Sequence, residues 1–421
     1  MSESRLTTIC VVGLGYIGLP TAVVLASRGT SVLGVDVNKD VVTKINRGEI
    51  HIVEPDLDAV TARVVQNGFL RAAPAPEAAD AFVIAVPTPF HDNKADLAYV
   101  HAAAASVAPV LKSGDLVVLE STSPPGTTES MVAQLAALRP DLRFPRHGED
   151  GCDVHVAYCP ERVLPGRVLV ELVENDRIIG GITPACSARA EQLYQIFCTG
   201  SLLRTGVRTA EMCKLTENSF RDVGIAFANE LSIICEKLDI NVWEVIRLAN
   251  HHPRVNILQP GPGVGGHCIA VDPWFIIQAA PKESLLIRTA REVNDGKPHY
   301  VLEKIKTAVA GVRSAGAAPK VALLGLAFKP DVDDFRESPS LRIAEVVASW
   351  TNCDVLISEP HADELPGALA GQKHVRLIEN VRDAIQQAHI VVMLVNHRIY
   401  KEITETDLNN KAVIDTRGVW S

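Results

Sequence analysis

The stretch from Thr7 to Asp36, TTICVVGLGYIGLPTAVVLASRGTSVLGVD, decides the fold. It opens with the β-branched run TTICVV and turns through GLGYIG. A helical segment, LPTAVVLASRG, then ends at Gly29, and a second apolar strand, SVLGVD, follows. Gly13, Gly15 and Gly18 form G-x-G-x-x-G between strand and helix. The first glycine permits the turn, the second lets a pyrophosphate approach, and the third lets helix pack on strand. The helix N-terminus then faces the phosphates. Asp36 ends the next strand, where an acid accepts ribose hydroxyls and repels a 2′-phosphate, so NAD is favoured over NADP. A glycine turn of this kind also serves purely structural ends in other α/β proteins. Here strand, helix and acid agree on a dinucleotide.

The same rhythm continues outward. AFVIAVP (81–87) and DLVVLEST (115–122) are further buried-strand runs, with Ala-rich helical stretches between them, to about residue 205. Continuous apolar runs alternating with helices predict a parallel sheet covered on both faces. From Arg208 the pattern becomes one long helix, on which Met212, Val223, Phe227, Leu231, Ile234 and Leu238 share a broad face that predicts burial. Lys214, Asn218 and Arg221 lie opposite, either as a solvated face or as a polar lining for an anionic substrate. RSAGAAPK (313–320) reads as a linker. A second, smaller α/β pattern follows in KVALLGLAFKP (320–330), SLRIAEVVASW (340–350), DVLISEP (354–360), AHIVVMLVNH (388–397) and KAVIDTRG (411–418), without a complete G-x-G-x-x-G. The expected architecture is α/β, with two Rossmann-like doubly wound domains, 1–207 and 316–421. A central long-helix segment, 208–315, joins them.

Net charge is −9 and the isoelectric point about 5.8, which argues against a nucleic-acid surface. No apolar run is long enough to span a bilayer, and the N-terminal residues lack a secretory pattern. The nine cysteines are an odd number without C-x-x-C spacing, so a reduced, cytoplasmic chain with no metal is expected. Eight of them read as small core hydrophobes. Cys268 differs. It lies in GPGVGGHCIAVDP (261–273), beside His267 and four residues before Asp272, in a loop too rich in glycine and proline for an ordinary core thiol. The alternatives are a buried thiol in a turn and a nucleophile activated by nearby positive charge, such as Lys214, with assistance from His267.

The ordered set GLGYIG, VPTP (86–89), STSPPGT (121–127), PER (160–162), Lys214 with Asn218, GVGGHC, Asp272 and GLAFKPDVDDFRESP resembles the nucleotide-sugar 6-dehydrogenases over nearly the whole chain. That family includes UDP-glucose, GDP-mannose and UDP-N-acetylhexosamine enzymes. The resemblance implies a four-electron oxidation of a sugar C6 hydroxyl to a carboxylate by NAD, with Cys268 trapping the aldehyde as a thiohemiacetal and then a thioester. It implies that Lys214 stabilises the oxyanion, Asn218 positions the reacting centre and Asp272 orders a relay water. Glu161 would be the acid/base for hydrolysis, and Thr122 would hold a water beside the nicotinamide. Tyr16, Ile17, Asp36, Thr88 and Thr128 would contact NAD, with Arg336 reaching it from the second α/β domain. Arg162, Val163, Lys214, Asn218, Arg221, His252, Arg254, Gly265 and Lys329 would hold the UDP-sugar. A homodimer and a role in bacterial surface polysaccharide synthesis are also implied.

The glucose and mannose members read Cys-Phe-Pro-Lys-Asp where this chain has Cys268-Ile269-Ala270-Val271-Asp272. That departure favours the N-acetylhexosamine branch, mannosamine before glucosamine. Two rivals of other classes are a two-electron β-hydroxyacid dehydrogenase and a non-enzymatic NAD-binding sensor. Neither explains the thiol loop.

Overall fold

The computed structural model describes residues 6–149, 151–164, 166–266 and 268–420. The chain divides into two units, Met1–Glu217 with Trp274–Ala280, and Asn218–Pro273 with Pro281–Ser421. The strands of the first are β1 (Thr8–Val12), β2 (Ser31–Val35), β3 (Leu70–Ala73), β4 (Ala81–Ile84), a two-residue hairpin of β5 (Phe90–His91) and β6 (Lys94–Ala95), β7 (Leu116–Leu119), β8 (His155–Tyr158), β9 (Arg177–Gly181) and β10 (Leu202–Gly206). Eight of them form one sheet in the order β10-β9-β8-β7-β4-β1-β2-β3.

Along β1 the side chains alternate between two cores. Ile9 and Val11 pack with Leu19, Val23 and Leu193, whereas Cys10 and Val12 pack with Val100, Met131 and Leu135. Both faces are therefore covered, which is why these strands read as unbroken apolar runs. Successive strands leave β1 through β2 and β3 on one side and return to β4 and β7 on the other. The direction of winding reverses between β1 and β4, whose register runs Ile9↔Ala81 to Val12↔Ile84. Loops at the carboxyl ends of strands beside such a reversal form the binding crevice of open α/β sheets.

One feature departs from the expected parallel sheet. β8 pairs antiparallel with β9 through Ala157↔Gly181 and Tyr158↔Gly180, and β10 runs parallel to β9. The link from β8 to β9 is a single short helix, Val168–Glu174, that returns the chain in the opposite direction. These strands, RIIGG and LLRTG, carry glycines and polar residues that hide them from periodicity.

The second unit has β11 (Lys320–Leu324), β12 (Asp354–Ser358), β13 (Val375–Leu377), β14 (Ile390–Met393) and β15 (Ala412–Asp415), all parallel, in the order β13-β12-β11-β14-β15. Val321 and Leu323 face one core and Ala322 and Leu324 the other, so this sheet is doubly wound as expected. Both units repeat one device. Asp36, just past β2, accepts a hydrogen bond from Leu14 N at 3.0 Å. Glu359, just past β12, accepts from Leu326 N at 2.6 Å and Ala327 N at 3.2 Å. In each, an acid after the second strand pins the loop that follows the first.

Two long helices, Val207–Lys237 and Leu285–Ser314, lie between the two sheets in sequence. The face expected to be buried on the first is largely bare in the single chain. Met212, Phe227, Ile234 and Leu238 are exposed, and Phe220 joins them, while Val223 and Leu231 are half-buried. Periodicity identified an apolar stripe, and among the described residues most of it lies exposed. Among the described residues no helix is long and apolar enough to cross a membrane.

Candidate functional site

The glycine loop after β1 has the geometry that dinucleotide binding needs. Gly13 has φ +95°, and a Cβ there would lie 2.6 Å from the Ala85 carbonyl oxygen. A Cβ on Gly18 would lie 1.8 Å from the Gly13 carbonyl oxygen, so only glycine lets the helix start this close to the strand. Gly15 is different, because a Cβ there would meet nothing within 4 Å. The open backbone at Gly15 suits a phosphate. Ile17 precedes the helix Gly18–Ser27 without a side-chain cap, so the positive end of that helix dipole faces the loop, and Tyr16 is exposed beside it. Asp36 also accepts from Asn38 N at 2.8 Å, which fixes the carboxylate at the loop's edge while leaving it half-exposed. Thr88, in the loop after β4, has a buried hydroxyl with no hydrogen-bond partner. An orphaned buried hydroxyl at the point of strand reversal is a position that a ligand can satisfy. These residues fit NAD.

The loop STSPPGT is held from both sides. Ser121 donates to the Val86 carbonyl at 2.7 Å, and Ser123 donates to the Ser121 carbonyl at 2.9 Å, with half-buried Thr122 between them. Thr128 is fully buried. Its hydroxyl and N–H donate to Glu211 Oε1 at 2.7 and 2.9 Å, and Gly126 N donates to Oε2 at 2.7 Å. Thr128 thus anchors the loop to Glu211 through its side chain.

Glu161 is buried and doubly held, with Oε1 accepting from Arg162 N at 2.6 Å and Oε2 from Arg177 at 3.2 Å. Arg177 is itself buried and lies against the rings of Tyr194 and Phe197, 4.8 and 5.2 Å from their centroids. Glu120 completes the cluster and accepts from Tyr194 Oη at 2.8 Å. Burial, opposed by Arg177 and reinforced by Glu161, pushes the Glu120 carboxyl up to about 7. Glu120, Arg177 and Tyr194 escaped the sequence reading. Only Glu120 had a visible signal, as an acid closing a buried strand in the way Asp36 does.

The raised Glu120 carboxyl has a pH consequence. The unfolded chain releases that proton near its ordinary 4.5 and the folded chain only near 7. Between those values the unfolded state binds fewer protons, so stability falls as pH rises, and the loss is complete above about 7. Glu120→Gln is expected to flatten that decline and to gain on the parent chain at pH 8, read by urea unfolding from pH 4.5 to 8. Parallel curves for the two proteins would remove Glu120 as the cause.

Arg162 forms an ion pair with Glu217 at 2.7 Å and donates to the Asp176 carbonyl at 3.1 Å, so its guanidinium is already engaged. Val163 packs at the edge of the first core. Lys214 is half-buried in the helix Val207–Lys237.

In the second unit the thiol loop is pinned from behind. Of the nine cysteines, Cys268 alone is exposed, and no disulfide joins any of them. The Asp272 N–H donates to the Cys268 carbonyl at 2.8 Å and starts the helix Asp272–Ala279, so thiol and acid share one tight turn. Asp272 is buried and accepts from the Asn218 amide at 2.5 Å. The glycines of this loop do work that the sequence did not suggest. A Cβ on Gly265 would lie 2.5 Å from the Glu337 carbonyl, one on Gly263 2.8 Å from Pro339, and one on Gly266 3.1 Å from the Phe328 ring. Each of them lets the 328–339 loop of the same unit pass close to the thiol loop. His267 lies outside the described residues.

Lys329 sits 5.4 Å from the Phe328 ring centroid, and Arg336 pairs with Asp334 at 2.7 Å. Arg221, His252 and Arg254 are exposed, with Arg254 N donating to His252 Nδ1 at 3.3 Å. A buried network supports the loop. Arg291 pairs with Asp222 at 2.7 Å, and Asn294 donates to Asp222 at 2.8 Å. Asn229 donates to Asn294 at 2.8 Å and accepts from Gly261 N at 2.9 Å.

Known proteins resemble this chain along nearly its whole length. Residues 7–198, 208–296 and 322–421 match, in order, the NAD binding, central and UDP binding domains of the UDP-glucose/GDP-mannose dehydrogenase family. The chain is 58% identical over 418 residues to a UDP-N-acetyl-D-mannosamine dehydrogenase of Yersinia pestis, covering 98% of this chain and 99% of that one. It is 59% identical over 415 residues to an NDP-N-acetyl-D-galactosaminuronic acid dehydrogenase of Ralstonia nicotianae, covering 98% and 96%. A solved UDP-N-acetyl-mannosamine dehydrogenase from Staphylococcus aureus superposes with a TM-score of 0.84 at 42% identity, covering 98% and 96%. With a dinucleotide loop in one unit, an exposed thiol beside a buried acid in the other, and all three family domains in order, the chain belongs to the UDP-glucose/GDP-mannose dehydrogenase family and is an NAD-dependent nucleotide-sugar dehydrogenase.

Proposed function

We propose that the chain oxidises C6 of UDP-N-acetyl-D-mannosamine to the uronate, in a four-electron reaction that releases no aldehyde. One observation carries the reading. Cys268 is an exposed thiol in a loop that the Asn229–Gly261 hydrogen bond pins, one turn before a buried, hydrogen-bonded Asp272. The glycine loop, Asp36 and Thr88 would hold NAD, which would supply the hydride acceptor for the two oxidation steps, one molecule for each. Lys214 stabilises the oxyanion that forms as the C6 hydroxyl loses its proton, and Asn218 and Asp272 hold the relay water that carries the proton away. Loss of the first hydride from C6 leaves the aldehyde; Cys268 Sγ adds to its carbon as the carbonyl oxygen takes up the thiol's proton, and loss of the second hydride together with that hydroxyl proton leaves a thioester. Water attacks its carbonyl, the C–S bond breaks, and the thiol and the uronate are released. Glu161, with a carboxylate oriented by Arg177 and the Arg162 N–H, takes the proton from that water, and Thr122 helps to place it.

Three regions divide the work. Residues 1–207 bind NAD, 208–315 carry the thiol loop, and 316–421 bind the UDP-sugar through Lys329, while Arg336 reaches the cofactor. The match to a UDP binding domain leaves a β-hydroxyacid dehydrogenase without a use for that region. Phe220, Phe227 and Ile234 are exposed at seven-residue spacing along one helix, which supports a homodimer built on that face. An exposed reactive thiol suits the reducing cytoplasm.

The name of the Yersinia relative supports the mannosamine sugar, and that of the Ralstonia relative offers a galactosamine-type rival. UDP-N-acetylglucosamine is the other alternative. The test is NADH formed per sugar nucleotide with excess NAD and each candidate sugar in turn. Two NADH per UDP-N-acetylmannosamine, with little from the others, is expected. Two from a different sugar would keep the mechanism and overturn the specificity, and one NADH with free aldehyde would overturn the mechanism.

A further inference from the structure

The first unit holds a cluster of ligating side chains that the dehydrogenase reaction does not use. Cys152 lies in the loop before β8, His155 is the first residue of β8, and Cys186 lies in the first turn of the helix Pro184–Tyr194. One ligand atom from each lies within 4.8 Å of the others. We propose that Cys152, His155 and Cys186 bind one zinc ion, with the fourth position open to water.

The spacing fits the metal. Cys152 Sγ and His155 Nδ1 are 3.6 Å apart. Tetrahedral zinc, with bonds of about 2.3 Å to sulfur and 2.0–2.1 Å to nitrogen, sets an S···N separation of about 3.6 Å. The surroundings fit a thiolate. Val156 N donates to Cys186 Sγ at 3.4 Å, and the Thr183 hydroxyl donates to it at 3.2 Å. Two donors aimed at one sulfur stabilise the charged ligand form and orient it, as outer-shell groups do around metal sites. Cys186 is buried while Cys152 and His155 are half-buried, which leaves an entry path on the solvent side.

Binding would release one proton from each thiol to solvent and leave two thiolates neutralising the dication. Asp153 is not the fourth ligand, because Arg143 already pairs with its carboxylate at 2.9 Å. The second unit offers a contrast. Asp331, His361 and His397 also cluster, but His397 Nδ1 accepts from Asp331 N at 3.0 Å and Nε2 lies 3.3 Å from Glu359. Nδ1 already accepts a backbone N–H, so its lone pair is not available to a cation.

The sequence contained a trace of the site in the C-x-x-H spacing of Cys152 and His155. The third ligand comes from a segment about thirty residues on and is invisible to any local pattern.

The test uses the full chain, reduced and stripped with a chelator, then titrated with Co²⁺ as an optical stand-in for zinc. One equivalent is expected to give tetrahedral d–d bands and a thiolate-to-cobalt charge-transfer band, both displaced by Zn²⁺. The bands should persist in Cys268→Ala, which removes the exposed thiol. They should weaken by more than about 100-fold in Cys152→Ser, whose half-buried site tolerates the change better than Cys186 would. No bands, an octahedral spectrum, or bands lost in Cys268→Ala but kept in Cys152→Ser would overturn the proposal. A freshly reduced chain that takes up no metal and re-forms a Cys152–Cys186 disulfide by mass would also overturn it.

Discussion

Cys268→Ala is expected to lower uronate formation by about three orders of magnitude or more, the scale on which loss of a covalent nucleophile acts. The effect follows from the chemistry rather than from stability. Cys268 is exposed and the turn behind it is made by backbone hydrogen bonds and by Asp272, so removing the sulfur leaves no cavity in a core. The informative readout is stoichiometry. Without the thiol, no adduct holds the aldehyde for the second oxidation, so NADH per sugar nucleotide should fall from two to at most one, with aldehyde trapped by an added amine. NAD affinity, which the proposed contacts of Gly13, Gly15, Gly18 and Asp36 would set, should not change. A variant that still forms two NADH at an undiminished rate would remove Cys268 from the mechanism, and one that also loses NAD affinity would point to a folding defect.

The second large effect is on stability. Arg291→Ala is expected to destabilise the second unit by about 3–5 kcal/mol, the cost of leaving one partner of a buried ion pair alone. Arg291 and Asp222 are both buried, and burial raises the Asp222 carboxyl even with Arg291 beside it. Desolvation therefore consumes much of the Coulomb attraction, and the pair's importance lies in what its rupture strands. Asn294 donates to Asp222 and Asn229 donates to Asn294, and Asn229 accepts from the N–H of Gly261, where the thiol loop begins. The variant should therefore lose activity as well as stability. Arg71→Ala is the control, because its pair with Glu77 is more than half exposed on both sides. That substitution should leave the unfolding midpoint close to the parent's. Urea unfolding of the two variants reads the difference. Equal midpoints for both would show that the buried network carries no special stability.

Much of this molecule was legible from its residues. TTICVV, AFVIAVP and DLVVLEST announced strands buried on both faces, GLGYIG the turn between strand and helix, and Asp36 the acid that closes it. Cys268 stood out because the glycines and prolines around it exceed what a core thiol requires. What the sequence determined alone shares one property, that the residues involved are close in the chain and local geometry or periodicity links them. The tertiary structure decided the rest. It set the antiparallel pairing of β8 with β9, the buried Glu120–Arg177–Glu161 cluster, the use of Gly263, Gly265 and Gly266 to admit the 328–339 loop, and the meeting of Cys152 and His155 with Cys186. It also left exposed the helix face that periodicity marked as apolar. Each of these depends on distances between segments well separated in the chain, and charge, desolvation and packing act through those distances rather than through spacing along the sequence.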